Sequence, residues 1–383
     1  MRVRDCISIG DLRRLARRRL PRVLFECIES GAEDEHGIAR NLTAFHRHQL
    51  LPRHLVDVSS RDQATTVFGR TYASPFGIAP TGIAALFRRG ADEMLAQAAV
   101  AGGVPYVMSG SSFAAIERVA EIAPQNTWYQ LYATRDHAIA QDVVRRAKDA
   151  GMTTLVLTVD QPVSPKAERD RRNGFGIPLK LKLPILLEAL THPAWAVEYL
   201  RHGGMPMLET WAAYAPAGAS AQEVAVFRRR QTPCVQTWRD VETLRTLWPG
   251  PLVVKGVMHS DDAVRAAELG VDGVIVSNHG GKALDRAPAT IDMLAAVAAA
   301  AGDKLTVMVD SGVRRGSDIV IAKCLGAQFV FVGRAALYGV TAGGIAGVSR
   351  AIDILREEID MTLALIGCPS FAQLGRQFLA DAP

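Results

Sequence analysis

The chain has 383 residues, of which 49% are hydrophobic and 22% charged, and its formal net charge is +5. This composition is typical of a soluble globular protein, and the length allows one large domain or two ordinary ones. The charge is modest for the size and argues against a nucleic-acid-binding protein.

The amino-terminal region is basic. The run "RRLARRRLPR" (13–22) is expected to form a solvated helix face rather than a patch for phosphates or membrane surfaces. The first residues lack the apolar core of a signal peptide, and no uninterrupted apolar stretch reaches the roughly 18 residues of a membrane span. The sequence therefore predicts neither export nor membrane spanning, and it favours a cytoplasmic location.

The cysteines and histidines do not form a metal-binding pattern. No C-x-x-C pair occurs, so free thiols in a reducing compartment are expected rather than a zinc site or disulfides. His46 and His48 form a close pair without neighbouring acidic or cysteine partners, and we predict that they are surface residues. No metal site is predicted.

Short apolar runs recur along the chain, and each ends in small or polar residues. Runs of this length without polar alternation are typical of parallel strands that are covered on both faces. They are "PFGIAPTG" (75–82), "VPYVMSG" (104–110), "NTWYQLY" (126–132), "TTLVLTVD" (153–160), "PLVVKGV" (251–257), "DGVIVSNHG" (272–280), "LTVMVDSG" (305–312) and "FVFVGR" (329–334).

Helical patterns separate these runs, and several end in glycine. They include 91–103, 135–151, 260–270 and 315–326. Strand and helix units repeated in this way predict an α/β fold, a (β/α)8 TIM barrel that forms a single domain over 1–383 with an amino-terminal helical segment. The alternative is a doubly wound open sheet, but its G-x-G-x-x-G turn is not present in the sequence.

The connection after the fourth predicted strand, 161–250, is much longer than an ordinary loop between a strand and a helix. Its segment 176–200 is apolar with interleaved lysines. Such a segment either packs over the barrel mouth, contacts another subunit, or touches a membrane surface, in which case 176–215 would be the contact.

Polar residues close the predicted strands, where barrel enzymes place their chemistry. A histidine, two carboxylates, a lysine and a tyrosine together with amide and hydroxyl groups indicate a polar cofactor site. These residues are Thr81, Ser109, Gln130, Tyr132, Thr158, Asp160, Lys255, Ser277, His279, Asp310, Gly312, Gly333 and Arg334.

Three features of this ring suggest its chemistry. His279 can take a proton near neutral pH, and Asp160 would orient it across the barrel mouth. Lys255 either faces an anionic reduced cofactor or forms a Schiff base. The glycines of 310–318 and 333–335, with Arg314 and Arg334, are typical of a phosphate grip. The set favours a phosphorylated cofactor such as FMN over a metal.

Motifs along nearly the whole chain resemble the FMN-dependent 2-hydroxy-acid dehydrogenase and oxidase family, the group of glycolate oxidase, lactate oxidase and mandelate dehydrogenase. Within this group the segments 167–178 and 192–208 are most similar to the membrane-associated mandelate dehydrogenases. The motifs are "LPRVLFECIESGAEDE" (20–35), "APTG", "WYQLY", "LTVD", "VVKGV", "SNHGG", "DSGVRRGSDIV", "GRAALYG" and "IGCP" (366–369).

The resemblance implies roles for the ring residues. His279 would remove a proton from the substrate, Asp160 would orient it, Tyr132 would bond the reacting oxygen, and Lys255 would stabilise the reduced flavin. The isoalloxazine and ribityl groups would contact Thr81, Gly82, Ser109, Gln130, Thr158 and Ser277. The ribityl chain and phosphate would be held by Asp310, Gly312, Arg314, Gly333 and Arg334.

Three positions depart from the family pattern where it binds the substrate carboxylate. Lys282 and Ala167 stand where the family usually has arginines, and Cys27 stands where it has a tyrosine. Lysine offers a point charge in place of a bidentate fork, so this exchange is not conservative. Either the substrate is bulkier or lacks a simple carboxylate, or Lys282 still binds the carboxylate, aided by Arg286 or a residue of the long connection.

The resemblance therefore implies FMN-dependent oxidation of a 2-hydroxy acid, mandelate-like or bulkier, to the 2-oxo acid. One alternative is oxidation of an ester, amide, lactam or modified peptide in a biosynthetic pathway. A weaker alternative is a barrel that binds without catalysis. Oxygen, a quinone or a carrier would accept the electrons, by way of either hydride transfer or a carbanion, and family habit suggests a homotetramer with a possible peripheral contact on the inner face of a membrane.

Overall fold

A computed structural model describes residues 1–179 and 183–380 and contains a closed eight-stranded parallel barrel. All eight predicted runs form its strands, so the predicted TIM barrel is confirmed. After a short antiparallel hairpin, β1 (Thr65–Val67) and β2 (Arg70–Tyr72), the barrel strands are β3 (Phe76–Ile78), β4 (Tyr106–Ser109), β5 (Thr127–Leu131), β6 (Leu155–Thr158), β7 (Leu252–Val257), β8 (Gly273–Val276), β9 (Thr306–Val309) and β10 (Phe329–Val332).

The helices fall into an amino-terminal group, an outer ring and the long connection after β6. The amino-terminal group is α1 (Ile9–Arg19), α2 (Arg22–Glu29) and α3 (His36–Ala44). The connection holds α7 (Glu168–Arg172), α8 (Leu183–Thr191), α9 (Pro193–Arg201), α10 (Glu209–Ala212), α11 (Ala221–Gln231) and α12 (Trp238–Leu247). The others are α4 (Ala91–Ala101), α5 (Ile116–Ile122), α6 (His137–Asp149), α13 (Ser260–Glu268), α14 (Thr290–Ala301), α15 (Gly316–Cys324), α16 (Arg334–Gly343) and α17 (Ile345–Leu365).

The hairpin closes the amino end of the barrel. Its turn residue Phe68 packs on Trp128 of β5 with ring centroids 5.6 Å apart, and Trp128 packs on Phe331 of β10 at 5.3 Å. The indole of Trp128 donates to the Tyr72 hydroxyl at 3.4 Å. Because large side chains fill this end, the carboxyl ends of the strands are left to form a site.

The amino-terminal helices cover part of the barrel mouth. The basic run lies on α1, where Leu12 and Ala16 are buried and Arg14 and Arg18 are exposed, as expected of a solvated helix face. The segment after α2 packs on the loop after β8, since the Ala32 amide donates to the Gly281 carbonyl at 3.0 Å. The amino-terminal segment therefore braces the loop that carries His279.

The long connection returns over the other side of the mouth. Trp211 of α10 donates to the Gly110 carbonyl at 2.9 Å, and the Gln236 amide donates to the Thr158 carbonyl at 2.9 Å. These two contacts lie outside 176–200, the segment expected to pack over the mouth or to touch a membrane or another subunit. Within that segment, Trp195 of α9 donates to the Leu86 carbonyl, in the loop after β3, at 2.9 Å. Residues 180–182 of the apolar segment lie outside the described residues.

The close approach of α16 and α17 yields a stability prediction. A Cβ atom at Gly347 would overlap the backbone of Gly339, and neither backbone can move aside cheaply. We expect Gly347→Ala to lower the free energy of unfolding by about 1–3 kcal/mol, measured by denaturant titration. The control is Gly10→Ala on α1, where the nearest atom to a new Cβ is 3.5 Å away. A Gly347→Ala variant as stable as this control would contradict the packing.

Candidate active site

A cavity of about 270 Å³ opens at the carboxyl ends of the barrel strands. Many of the residues predicted from the sequence line it, and they come from loops distant in the chain. Predicted lining residues are Cys27, Thr81, Gly82, Tyr132, Lys255, His279, Lys282, Asp310, Gly312, Arg314, Gly333 and Arg334. Predicted residues outside its lining are Ser109, Gln130, Thr158, Asp160, Ala167 and Ser277.

His279, Asp160 and Tyr132 form one hydrogen-bonded group. The His279 Nδ1 atom is 3.0 Å from Asp160 Oδ1, and its Nε2 atom is 3.5 Å from the Tyr132 hydroxyl. Burial opposes ionisation of Asp160, but the charges of His279 and Lys255 outweigh it and hold the pKa of this carboxyl below its usual range. The ionised Asp160 thus fixes the imidazole with Nε2 directed toward the cavity.

The backbone at His279 is strained. Its φ is 57°, in the left-handed region, and the two following glycines also have positive φ of 66° and 79°. The Ser277 hydroxyl accepts the His279 amide at 3.1 Å, and the Ser311 hydroxyl accepts the Gly280 amide at 2.9 Å. Gly281 lies so close to Ile38 of α3 that a side chain would not fit. The double glycine therefore permits the turn that presents the imidazole.

Lys255 is buried and paired. Its ammonium is 3.3 Å from Asp310 Oδ2 and donates to the Ser277 hydroxyl at 2.9 Å. Burial acts to lower its pKa, but the carboxylates of Asp310 and Asp160 raise it above the ordinary value. A lysine held protonated is a poor nucleophile, so the geometry favours a fixed positive charge over a Schiff base.

Several buried polar atoms near the strand ends lack partners within the described chain. Thr81 Oγ1, Gln130 Nε2 and Thr158 Oγ1 are such atoms, and Thr81 lines the cavity. The other end of the Gln130 amide is satisfied, since its oxygen accepts from the Ser109 hydroxyl at 3.2 Å. Buried donors and acceptors are normally paired, so these atoms are those expected of a site for a polar cofactor.

Arg334 and Gly312 of the predicted phosphate grip also have structural contacts. Arg334 donates to the carbonyls of Ile28, Ser30 and Gly280 at 2.9, 3.0 and 2.8 Å. Burial and the charge of Arg314 lower the pKa of this guanidinium to about 10. Arg334 therefore ties the amino-terminal segment to the loop after β8 in addition to lining the cavity.

Gly312 likewise lines the cavity and makes a close packing contact. Its φ is 85°, and a Cβ atom there would overlap the Asn41 backbone of α3. The glycine is thus required by packing as well as by any ligand that its backbone could approach. Gly333 lies at the start of α16, where the helix amides are suited to an anion.

Of the three positions that depart from the family pattern, Lys282 and Cys27 line the cavity and Ala167 does not. Lys282 donates to the Cys27 carbonyl at 2.9 Å and to the Ser30 hydroxyl at 3.2 Å. Burial raises the pKa of the Cys27 thiol to about 12, so it stays neutral. Ala167 is outside the cavity lining, and Arg286 is exposed and likewise outside it. Lys282, which stands where the family has an arginine that binds the substrate carboxylate, therefore already donates to two protein oxygens.

Sequence reasoning did not single out Arg228 or Ser111, which both line the cavity. Arg228 belongs to "FRRRQ" (227–231), which reads as an ordinary charged helix face. Its side chain turns inward because α11 crosses the mouth, and it donates to the Ser111 hydroxyl. No local pattern distinguishes it from the exposed Arg229 and Arg230.

A group of ligand-type side chains also lies outside the cavity. Asp34, His36 and Asp285 have oxygen and nitrogen atoms within 4.8 Å of one another. Asp285 accepts the Gly37 amide at 2.7 Å, while Asp34 and His36 are exposed. The hydrogen bond to the first turn of α3 explains the buried carboxylate as a helix-capping group.

Comparison with known proteins places this geometry in a family. The family described as "FMN-dependent dehydrogenase" matches residues 16–381. The chain belongs to the FMN-dependent dehydrogenase family. It is an enzyme, and its cofactor is FMN.

The similar proteins include dehydrogenases of 2-hydroxy acids. (S)-Mandelate dehydrogenase of Pseudomonas putida is 40% identical over 378 residues, 98% of this chain and 94% of that protein. L-lactate dehydrogenase of Caulobacter vibrioides is 39% identical over 98% of this chain and 97% of its own length. A crystal structure of monotopic membrane protein (S)-mandelate dehydrogenase matches with a TM-score of 0.94 and 40% identity, over 98% of this chain and 100% of that one.

The unpartnered hydroxyl of Thr158 gives a prediction on cofactor binding. Its buried Oγ1 has no partner among the described residues, so we expect Thr158→Val to weaken FMN binding about three- to tenfold without lowering the melting temperature of the apoprotein. The control is Thr127→Val, whose hydroxyl donates to the Ala123 carbonyl at 2.9 Å and should affect stability instead. FMN fluorescence titration and thermal unfolding measure the two effects. Unchanged FMN affinity in Thr158→Val would contradict the assignment.

Proposed function

We propose that the protein oxidises a 2-hydroxy acid to the 2-oxo acid, with His279 as the base. The observation that carries this proposal is the pairing of His279 with an ionised Asp160 beside the cavity at 3.0 Å. A carboxylate on Nδ1 leaves Nε2 to take a proton from the substrate. The similar mandelate and lactate dehydrogenases support the substrate class.

Three side chains of the protein, those of His279, Asp160 and Tyr132, would act on the substrate. His279 takes the proton from the carbon or from its hydroxyl, and Asp160 stabilises the resulting imidazolium. The Tyr132 hydroxyl, 3.5 Å from Nε2, stands where it can bond the reacting oxygen. Burial raises the pKa of Tyr132, so it remains a neutral donor.

FMN, when bound, supplies the two-electron oxidant of the reaction. Residues that fit this group are Lys255, whose fixed charge suits an anionic reduced flavin, and Thr81, Gln130 and Thr158, whose Oγ1, Nε2 and Oγ1 atoms lack partners among the described residues. We assign Ser109, Ser277 and Gly82 to its ring and ribityl contacts. Its ribityl chain and phosphate are assigned to Asp310, Gly312, Arg314, Gly333 and Arg334.

The base gives the first test of this function. We expect His279→Gln to slow anaerobic flavin bleaching by (S)-mandelate or lactate by roughly 10²–10⁴-fold while the FMN content stays unchanged. Asp160→Asn should slow it by at least about tenfold, since the imidazolium loses its charge partner. The control His137→Gln alters an imidazole that is 69% exposed. Bleaching of His279→Gln at the wild-type rate would refute the proposed base.

A second candidate substrate class follows from Lys282. Because its ammonium already bonds the neutral oxygens of Cys27 and Ser30, a substrate with an ester, amide or lactam beside the carbinol is the second class that this cavity would accept. Comparing bleaching by mandelate with bleaching by its amide and methyl ester separates the two classes. Bleaching by the uncharged compounds alone would assign the second class.

We also propose a peripheral membrane contact through α8 and α9. Leu183, Leu187 and Leu190 lie on one face of α8 and are 69%, 57% and 78% exposed, and Leu200 of α9 is 70% exposed. A similar protein of known structure is described as a monotopic membrane protein. Among the described residues, no helix combines the length and apolar character needed to cross a membrane.

The exposed leucines give a test of membrane contact. We expect Leu187→Asp with Leu190→Asp to reduce binding to anionic vesicles by at least about tenfold, because two apolar side chains no longer enter the lipid. The control pair is Met361→Asp with Leu365→Asp on α17, which are 60% and 66% exposed. Vesicle flotation measures binding, and flavin absorbance reports an intact site. Equal binding of both pairs would contradict the contact.

The electron acceptor, the homotetramer and the cytoplasmic face of the membrane stay predictions. A membrane contact through α8 would favour a quinone, which is dissolved in the lipid, over oxygen or a carrier protein. Chemical crosslinking of the holoenzyme would count the subunits.

A further inference from the structure

Arg228 is a cation of the cavity that the proposed roles do not use. It comes from α11, and its guanidinium lies 5.9 Å from the ring centroid of Tyr132 and 5.8 Å from that of Trp211. It donates to the Ser111 hydroxyl, while its Nε atom is buried without a partner. The aromatic rings and the serine thus hold it rigidly against the cavity that contains His279.

No acidic side chain of the described residues balances the charge of Arg228. Within residues 1–179 and 183–380, Arg228 forms no ion pair, and the ionisable groups that act on it are Tyr132 and Tyr129, both neutral at ordinary pH. The Nε atom of Arg228 is buried, and a guanidinium partly removed from water without a carboxylate partner is costly to maintain. Its free donor at Nε and its planar fork are suited to a carboxylate from outside the chain.

Arg228 and Lys282 approach the cavity from opposite sides. Ser111, which holds Arg228, follows β4, whereas Lys282 follows β8. These strands are four apart in the closed order of eight, so they face each other across the mouth. Both side chains line the same cavity.

The other cations of the cavity have their own partners. Lys255 is paired with Asp310 at 3.3 Å. Arg314 and Arg334 are assigned to the FMN phosphate under the proposed function. Lys282 and Arg228 bond only neutral oxygens, namely the Cys27 carbonyl and the hydroxyls of Ser30 and Ser111, and neither forms an ion pair among the described residues. Two positive charges on opposite sides therefore remain for the substrate.

We propose that the substrate is a 2-hydroxy acid with a second carboxylate, which Arg228 binds while Lys282 receives the first. This inference rests on the proposed function and defines its substrate class. The second carboxylate lies beside Ser111 and Tyr132, and it accepts from Arg228. Arg228 is accordingly a specificity-determining residue contributed by the long connection.

The test compares dicarboxylates with matched half-esters. The probes are malate, 2-hydroxyglutarate and 2-hydroxyadipate, each beside the ester of its distal carboxyl, with kcat and KM from dye-linked turnover of the FMN-loaded enzyme. For at least one pair, we expect the diacid to exceed its half-ester in kcat/KM by at least about tenfold. Arg228→Met should reduce this ratio by a similar factor, chiefly through KM, and Arg228→Lys should retain part of it.

The matched control is Arg229→Met, an exposed neighbour on α11, which should keep the ratio. A second readout is the dissociation constant of the corresponding 2-oxo diacid, measured through perturbation of the oxidised flavin spectrum, which should rise in Arg228→Met. An equal kcat/KM for every diacid and its half-ester, or a ratio unaltered in Arg228→Met, would overturn the inference.

Failure of this inference differs from failure of the proposed function. If mandelate or lactate bleaches the flavin and no diacid is preferred, the hydroxy-acid activity stands and the role of Arg228 is wrong. If no 2-hydroxy acid bleaches the flavin, the proposed function itself is wrong. Loss of FMN from Arg228→Met would assign the arginine to the cofactor and would likewise overturn its role toward the substrate.

Discussion

Closure of the parallel barrel is the constraint on which the site depends. Parallel strands all end at the same side, so residues far apart in the chain meet around one opening. Asp160 after β6 and His279 after β8 are 119 residues apart yet hydrogen-bonded. The register of the strands, rather than any local motif, sets this distance.

Around that opening, residues that line or border the cavity also make close packing contacts. The glycines at 281 and 312 admit α3 closely, and Arg334 ties together the amino-terminal segment and the histidine loop. A strained residue such as His279 persists where its surroundings over-determine its conformation. The amino-terminal helices thus form part of the active site although they contribute few groups to the cavity.

The fold and the centre of the site could be predicted from the sequence because both have local signals. Continuous apolar runs predict all eight strands. The polar residues that end these runs include His279, Asp160 and Lys255, which are therefore predicted to lie at the site. Arg228 could not be found in this way, since its inward direction depends on how α11 crosses the mouth. The sequence predicts Arg334 as a phosphate ligand, whereas two of its three carbonyl contacts depend on the tertiary position of residues 28–30.

The hairpin that plugs the amino end also bears on how two reactants share the enzyme. Since Phe68 and Tyr72 fill that end, a substrate would reach the cavity from the opposite end of the barrel. An oxidant that reaches the flavin through the same opening could bind only after the product has left. Shared access of this kind favours a ping-pong mechanism, in which the reductive and oxidative half-reactions alternate. Its steady-state signature is a set of parallel double-reciprocal lines.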